Sequence, residues 1–167
     1  MGKIQILSNQ RISLIICRIA RQIMEDYYQE PTILLAGIKS SGYEFAELLA
    51  KEIEKISPNT KVNLGFIEIN KTSPSASNIS SNLAVMDAKN KVIVIVDDVL
   101  NTGRTLIFGV NHFLLADAKA IKTAVLVDRS HNHFPVKADY IGFTLATTLK
   151  EHVEVLFSEN ESVAYLS

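Results

Sequence analysis

Cysteine is nearly absent from this sequence: Cys17 stands alone. One thiol closes no internal disulfide, so nothing calls for an oxidising compartment. It lies in the run Ile15-Ile16-Cys17-Arg18-Ile19, which reads as helix, and nothing there marks it as an activated nucleophile rather than a small packed residue. An excess of one charge is missing as well. Seventeen Lys and Arg against 18 Asp and Glu leave a formal net charge of -1, which gives no footprint for nucleic acid or an anionic membrane. Long apolar runs are also lacking. Met1 to Gln10 has no core of signal-peptide length, and no other run approaches the ~18 residues of a membrane span. A soluble, cytoplasmic protein with no membrane partner is therefore expected. No internal repeat is visible, and neither a Walker A loop nor G-x-G-x-x-G occurs.

What is present is ordinary globular material. The 167 residues are 47% hydrophobic and 21% charged, enough chain for one domain over residues 1–167 with a core that needs no staples. Ile12, Ile15, Ile16, Ile19 and Ile23 share a helical face, which predicts a helix from about Ser8 to Tyr28, stopped by Pro31. Thr32 to Ile38 is short and continuously apolar, as in a parallel strand covered on both faces. The turn Lys39-Ser40-Ser41-Gly42 follows, then a helical stripe from Tyr43 to Ile56. Ser41 and Glu44 have capping-box spacing at its start. Val62 to Asn70 predicts another strand. Lys71 to Asn82 is Ser/Asn-rich and reads either as a solvated loop or as a mobile cover over a site. Lys91 to Asp98 is the strongest strand signal, and its β-branched residues without alternation argue for a central position. A helix from Thr105 to Ala116 follows. Strands are predicted at Ile121 to Val127, Tyr140 to Ala146, Val153 to Phe157 and Val163 to Leu166. The alternation implies an α/β fold with a mainly parallel central sheet flanked by helices.

Open sheets of this kind bind ligands beyond the carboxyl ends of their strands. One such end reads Asp97-Asp98-Val99-Leu100-Asn101-Thr102-Gly103-Arg104-Thr105. Two carboxylates close an aliphatic strand, and ionised carboxylates accept from vicinal hydroxyls such as those of ribose. The Thr-Gly-Arg-Thr turn opens a helix. Its glycine permits close approach, successive N–H groups make an anion nest, and the helix N-terminus adds positive potential. Residue types alone thus suggest ribose hydroxyls followed by phosphate.

Val92 to Leu106 resembles the binding motif for 5-phosphoribosyl-1-pyrophosphate (PRPP) of the type I phosphoribosyltransferases. The resemblance implies that fold, with a small hood region, and an enzyme that transfers the phosphoribosyl group to a nucleobase and releases pyrophosphate. It implies that Asp97 and Asp98 hold the ribose hydroxyls, and that Asn101, Thr102, Gly103, Arg104 and Thr105 hold the 5-phosphate. It places a pyrophosphate loop at Ile38, Lys39, Ser40, Ser41 and Gly42, with Lys39 offsetting the leaving group's charge. Mg²⁺ is implied as cofactor, carried mainly by PRPP rather than by direct protein ligands. The stretch Val127-Asp128-Arg129-Ser130-His131, followed by Pro135 and Ala138-Asp139-Tyr140-Ile141-Gly142, is similar to the PyrR branch. Members of that branch have uracil phosphoribosyltransferase activity, and in some lineages they regulate pyrimidine operons by binding mRNA. By that likeness Val127, Asp128 and Arg129 line a base pocket, uracil is the base, and the chain forms a homo-oligomer. His131 and His133 lack a third ligand at suitable spacing and do not suggest a metal site.

The chain departs from the branch pattern at several places. Ser41 stands where arginine is usual in the pyrophosphate turn, and Asn70-Lys71-Thr72-Ser73 replaces an aromatic-Arg-Asp-Asp opening of the flexible loop. Ser130 replaces glycine after Arg129, and Gly142-Phe143-Thr144 replaces a Gly-Lys-Asn type segment. Two missing positive charges near pyrophosphate would slow catalysis while leaving the Asp97 to Thr105 motif intact. The competing reading is a catalytically weak sensor of PRPP or nucleotide acting through RNA or a partner. The near-neutral charge and the acidic C-terminal Glu151, Glu154, Glu159 and Glu161 argue against RNA.

Overall fold

Each face of the sheet is dictated by side-chain alternation along strands that are apolar throughout. In the computed structural model, which describes residues 2–69, 79–146, 151–158 and 161–167, strand β2 (Thr32–Ile38) sends Ile33 and Leu35 to one core and Leu34, Ala36 and Ile38 to the other. The first core is closed by helices α1 (Asn9–Tyr27) and α2 (Ser41–Ile56), through Ile12, Ile19, Phe45, Leu49 and Ile53. The second is closed by α3 (Arg104–Leu114), through Leu106 and Phe113.

The sheet has six strands in the order β4-β3-β2-β5-β6-β7. Here β3 is Lys61–Ile69, β4 Ile79–Ser81, β5 Val92–Leu100, β6 Ala120–Asp128 and β7 Tyr140–Thr144. All neighbours pair parallel except β4, which runs antiparallel to β3. The chain leaves β2 toward β3 on one side and later returns to β5 on the other, so the crevice between the ends of β2 and β5 is a switch point of the kind where open sheets bind ligands. A separate antiparallel sheet, β1-β9-β8, forms the hood, with β1 at Ile4–Leu7, β8 at Val153–Phe157 and β9 at Ser162–Leu166.

The predicted elements lie where expected within one to three residues, with three corrections. First, helix α2 is not started by a Ser41–Glu44 capping box. Ser40 is the N-cap, at φ 85°, without a side-chain cap bond, and its carbonyl accepts from the N–H groups of Tyr43 (2.9 Å) and Glu44 (3.2 Å). The turn is one residue tighter than the spacing suggested, because Gly42 is pressed against the end of β5. Second, Asp97 and Asp98 do not close β5, which runs on to Leu100 because Val99 and Leu100 still pair with Val127 and Asp128 of β6. Third, the segment read as loop includes β4. There Ile79, Ser80 and Ser81 pair with Ile69, Glu68 and Ile67, and the Ser81 hydroxyl donates to the carbonyl of Phe66 (2.8 Å). Lys71 to Asn78, the rest of the candidate cover, lies outside the described residues. No helix among the described residues is long and apolar enough to cross a membrane.

Candidate active site

Five aliphatic residues of β5, Val92 to Val96, are fully buried, and they carry Asp97 to the mouth of the switch-point crevice. Asp97 itself is only 8% exposed, Asp98 is half-buried, and the Asp98 N–H donates to Asp97 Oδ1 at 3.0 Å. Beyond β5 the chain turns through Asn101, Thr102 and Gly103 into α3. Gly103 caps that helix in the left-handed region, at φ 82°. Thr102 Oγ1 accepts from the Arg104 N–H (3.3 Å), while the Thr102 carbonyl accepts from His133 (2.9 Å) and Phe134 (3.1 Å). The loop after β6 therefore braces this turn from outside. A Cβ on Gly103 would stand 2.6 Å from Val136 Cγ1 as well as in a strained backbone region. Gly103→Ala is accordingly expected to cost about 1–3 kcal/mol, read as a lower midpoint in urea unfolding; an unchanged midpoint would contradict the tight packing of this turn.

The cavity here is about 450 Å³, within the ~300–1,000 Å³ of small-molecule clefts. Its floor is Asp97 through Leu106 with Ser41 beside it, one wall is Arg129, and its roof is His152 through Leu156 of the hood. Residues expected from sequence thus converge: both aspartates, the whole of Asn101 to Thr105, Ser41 and Arg129. Gly42 joins them as a spacer. A Cβ there would meet Asp97 Oδ1 and the Val96 carbonyl, both at 3.0 Å, so glycine lets the β2–α2 turn lie close on the acid strand where a side chain would press it outward.

Other expected residues are placed differently. Lys39 does not line the cavity. Its Nζ pairs with Glu68 at the end of β3 (2.8 Å) and sits 5.6 Å from the centre of the Phe66 ring. Hydrogen bonding to that ammonium holds the Glu68 carboxyl below its usual range. Ile38 is core, 2% exposed, and Ser40 is exposed at the turn. Val127 is fully buried in the α1-side core, opposite Phe143 in register. Asp128 Oδ1 accepts from the Ser130 N–H (2.8 Å) and its carbonyl accepts from Leu145 (2.8 Å), so both groups serve the local chain path. His131 and His133 lie with ring centres 4.9 Å apart, and among the described residues no group of three His, Cys, Asp or Glu is placed to hold a metal.

The roof was not foreseen. Val153 and Val155 are buried, whereas His152 and Leu156 are exposed and Glu154 is half-buried, so alternation turns these three away from the core. That alternation is readable in the sequence. What it faces is set by the pairing of β8 with β9 and of β9 with β1, across nearly the whole chain.

Comparison with known proteins agrees with this geometry. The family model for the phosphoribosyl transferase domain matches residues 4–159. The bifunctional protein PyrR of Clostridium acetobutylicum is 36% identical over 160 residues, covering 92% of this chain and 89% of its own length. PyrR of Bacillus subtilis is 35% identical over 166 residues, covering 94% and 91%. Among solved structures, a hypoxanthine-guanine phosphoribosyltransferase from Bacillus anthracis superposes with a TM-score of 0.73 at 23% identity, covering 90% of this chain and 85% of its own. The hypoxanthine phosphoribosyltransferase of Trypanosoma cruzi gives 0.74 at 18% identity, covering 96% and 94%. At such identities the structural likeness bears on the fold alone.

Proposed function

The chain belongs to the phosphoribosyltransferase family, and on that premise we propose that it transfers the 5-phosphoribosyl group of PRPP to uracil with release of pyrophosphate. The observation that carries the reading is one cavity in which an acid pair, Asp97 and Asp98, adjoins a glycine-bearing turn at a helix N-terminus, Asn101 to Thr105. The carboxylates accept the two ribose hydroxyls, and the turn's N–H groups with the Thr102 and Thr105 hydroxyls hold the 5-phosphate. Uracil rests on the likeness to PyrR proteins.

In the transfer, a ring nitrogen of the base bonds to C1 of the ribose as the bond from C1 to pyrophosphate oxygen breaks, and the electron pair leaves with pyrophosphate. No covalent enzyme intermediate is needed. The chain's part is to align two substrates and stabilise separated charge. Asp97 and Asp98 add negative potential under a ribose that becomes cationic. Ser41 and the neighbouring turn flank the leaving group. The hood strand roofs the cavity and limits water, which would otherwise consume PRPP. Mg²⁺ would be carried mainly by the phosphates of PRPP, and the hard carboxylate oxygens of Asp97 and Asp98 beside the ribose are compatible with that ion. When bound, that ion neutralises charge on pyrophosphate.

Lys39 must exchange Glu68 for pyrophosphate to assist departure, so its contribution is smaller than that of a lysine already aimed into the cavity. The test is pyrophosphate release from PRPP and Mg²⁺ with uracil, cytosine, hypoxanthine and guanine offered separately. Turnover with uracil alone is expected; turnover confined to a purine would overturn the choice of base.

A further inference from the structure

The hood is held to the body of the molecule by Val153, Val155 and Ala164, buried in the α1–α2 core, by the Ser162 N–H donated to Asn9 Oδ1 (3.0 Å), and by two contacts at the ends of β8 that differ in kind. At the far end Phe157 stacks on Phe45 of α2, with ring centres 6.1 Å apart and an interplanar angle of 6°. At the near end, beside the cavity, the fastening is polar and comes from Arg129. The Arg129 N–H donates to the Leu100 carbonyl (3.0 Å), which locks its backbone to the strand that carries the acid pair. The residue is 4% exposed, and among its contacts Nη2 donates to the carbonyl of Glu151 at 2.6 Å. Glu151 immediately precedes β8. The next residue, His152, closes the end of the hood sheet through two bonds with Ser167, at 2.7 and 2.9 Å. The buried guanidinium thus ties the residue that leads into β8, at the cavity end of the roof, to the loop that follows β6.

We propose that Arg129 is a positioning residue that holds the hood over the base half of the cavity, acting through β8 rather than by touching the base. The inference rests on the phosphoribosyl-transfer reading for its effect on substrate. PRPP is held from below by the acid pair and the turn at Asn101 to Thr105, all on the body. The second substrate is the one left for the roof to confine. A charged donor buried on a backbone carbonyl is stronger than a neutral pair, and truncating it leaves that carbonyl without the donor while Phe45–Phe157 still keeps the hood attached. Its loss therefore loosens the cavity end of β8, while the core packing of Val153 and Val155 keeps the hood attached.

The test uses Arg129→Met, which keeps most of the volume, and Arg129→Lys, which keeps a charged donor. In Arg129→Met the KM for uracil is expected to rise by about tenfold while PRPP affinity stays within about twofold. In the ligand-free protein, amide exchange across Val153 to Phe157 should quicken by about tenfold, with β2 and β5 unchanged. Arg129→Lys should recover part of both effects. An unchanged uracil KM with unaltered β8 exchange would overturn the proposal. So would an equal loss of PRPP affinity, or faster exchange throughout the molecule, since either shows a general structural role. If the wild-type protein turns over no base, the transfer reading fails, and the exchange measurement still decides whether Arg129 holds the hood.

Discussion

Replacing Asp97 and Asp98 together by asparagine is expected to weaken PRPP binding by between about a hundredfold and ten-thousandfold, at ~1.5–3 kcal/mol for each charge-assisted hydrogen bond lost. Asparagine keeps the shape of the side chain and removes the charge, so the measurement isolates what the acids do for a hydroxylated ligand. The effect on folding should be small by comparison. Asp97 is 8% exposed at the end of a strand whose preceding residues are wholly apolar, and an ionised carboxylate in such a place costs desolvation. Its contacts in the fold, among them the N–H of Asp98, offset that cost, and asparagine keeps an acceptor for that N–H. The double variant should therefore unfold within a few degrees of the wild-type temperature while losing its ligand. A fall in thermal midpoint together with retained PRPP affinity would show that the acids are structural.

Gly37→Ala should be among the most damaging single-methyl changes in the molecule. A Cβ at Gly37 would lie 2.5 Å from Tyr43 Cα and 2.9 Å from the Gly42 carbonyl, both backbone atoms that no rotamer change can move. To admit it, α2 must lift from β2, and Gly42 must leave its seat on Asp97. Overpacking of this kind costs about 3 kcal/mol, which for a domain of this size lowers Tm by roughly 6–12 °C. Because the same turn carries Ser41 into the cavity, activity per folded molecule should fall as well. Gly2→Ala, where nothing stands within 4 Å, is the matched control and should be neutral. Equal midpoints for the two variants would contradict the close approach of α2 to β2.

Much of this arrangement was legible before any coordinates. Continuous apolar runs at Thr32 to Ile38 and Lys91 to Asp98 identified the two central strands, because burial on both faces removes the alternation an exposed strand would show. The Ile12 to Ile23 stripe identified α1 from about Ser8, the residue that the structure places as its N-cap. The acid pair and the Thr102 to Thr105 turn could be read as a ribose and phosphate site because both the strand end and the helix start are local features. What escaped depends on partners far away in sequence. Strand β1 has four residues, only one of them buried, and exists because it pairs with β9 at the other end of the chain. The roof from His152 to Leu156 looked like any short alternating strand. Lys39 sits in the turn where a phosphate-facing cation was expected, but Glu68, on an adjacent strand end, offers a carboxylate at 2.8 Å. Ser41 suggested a cap by its spacing to Glu44, yet the close packing of Gly42 on β5 moved the helix start by one residue.

The most direct measurement is a calorimetric titration of the full-length protein with PRPP in the presence of Mg²⁺, run alongside the Asp97→Asn, Asp98→Asn double variant. Saturable binding at one PRPP per chain is predicted for the wild type, with heat lost or strongly weakened in the double variant at unchanged thermal stability. No saturable heat with the wild-type protein would contradict the assignment of this cavity to PRPP.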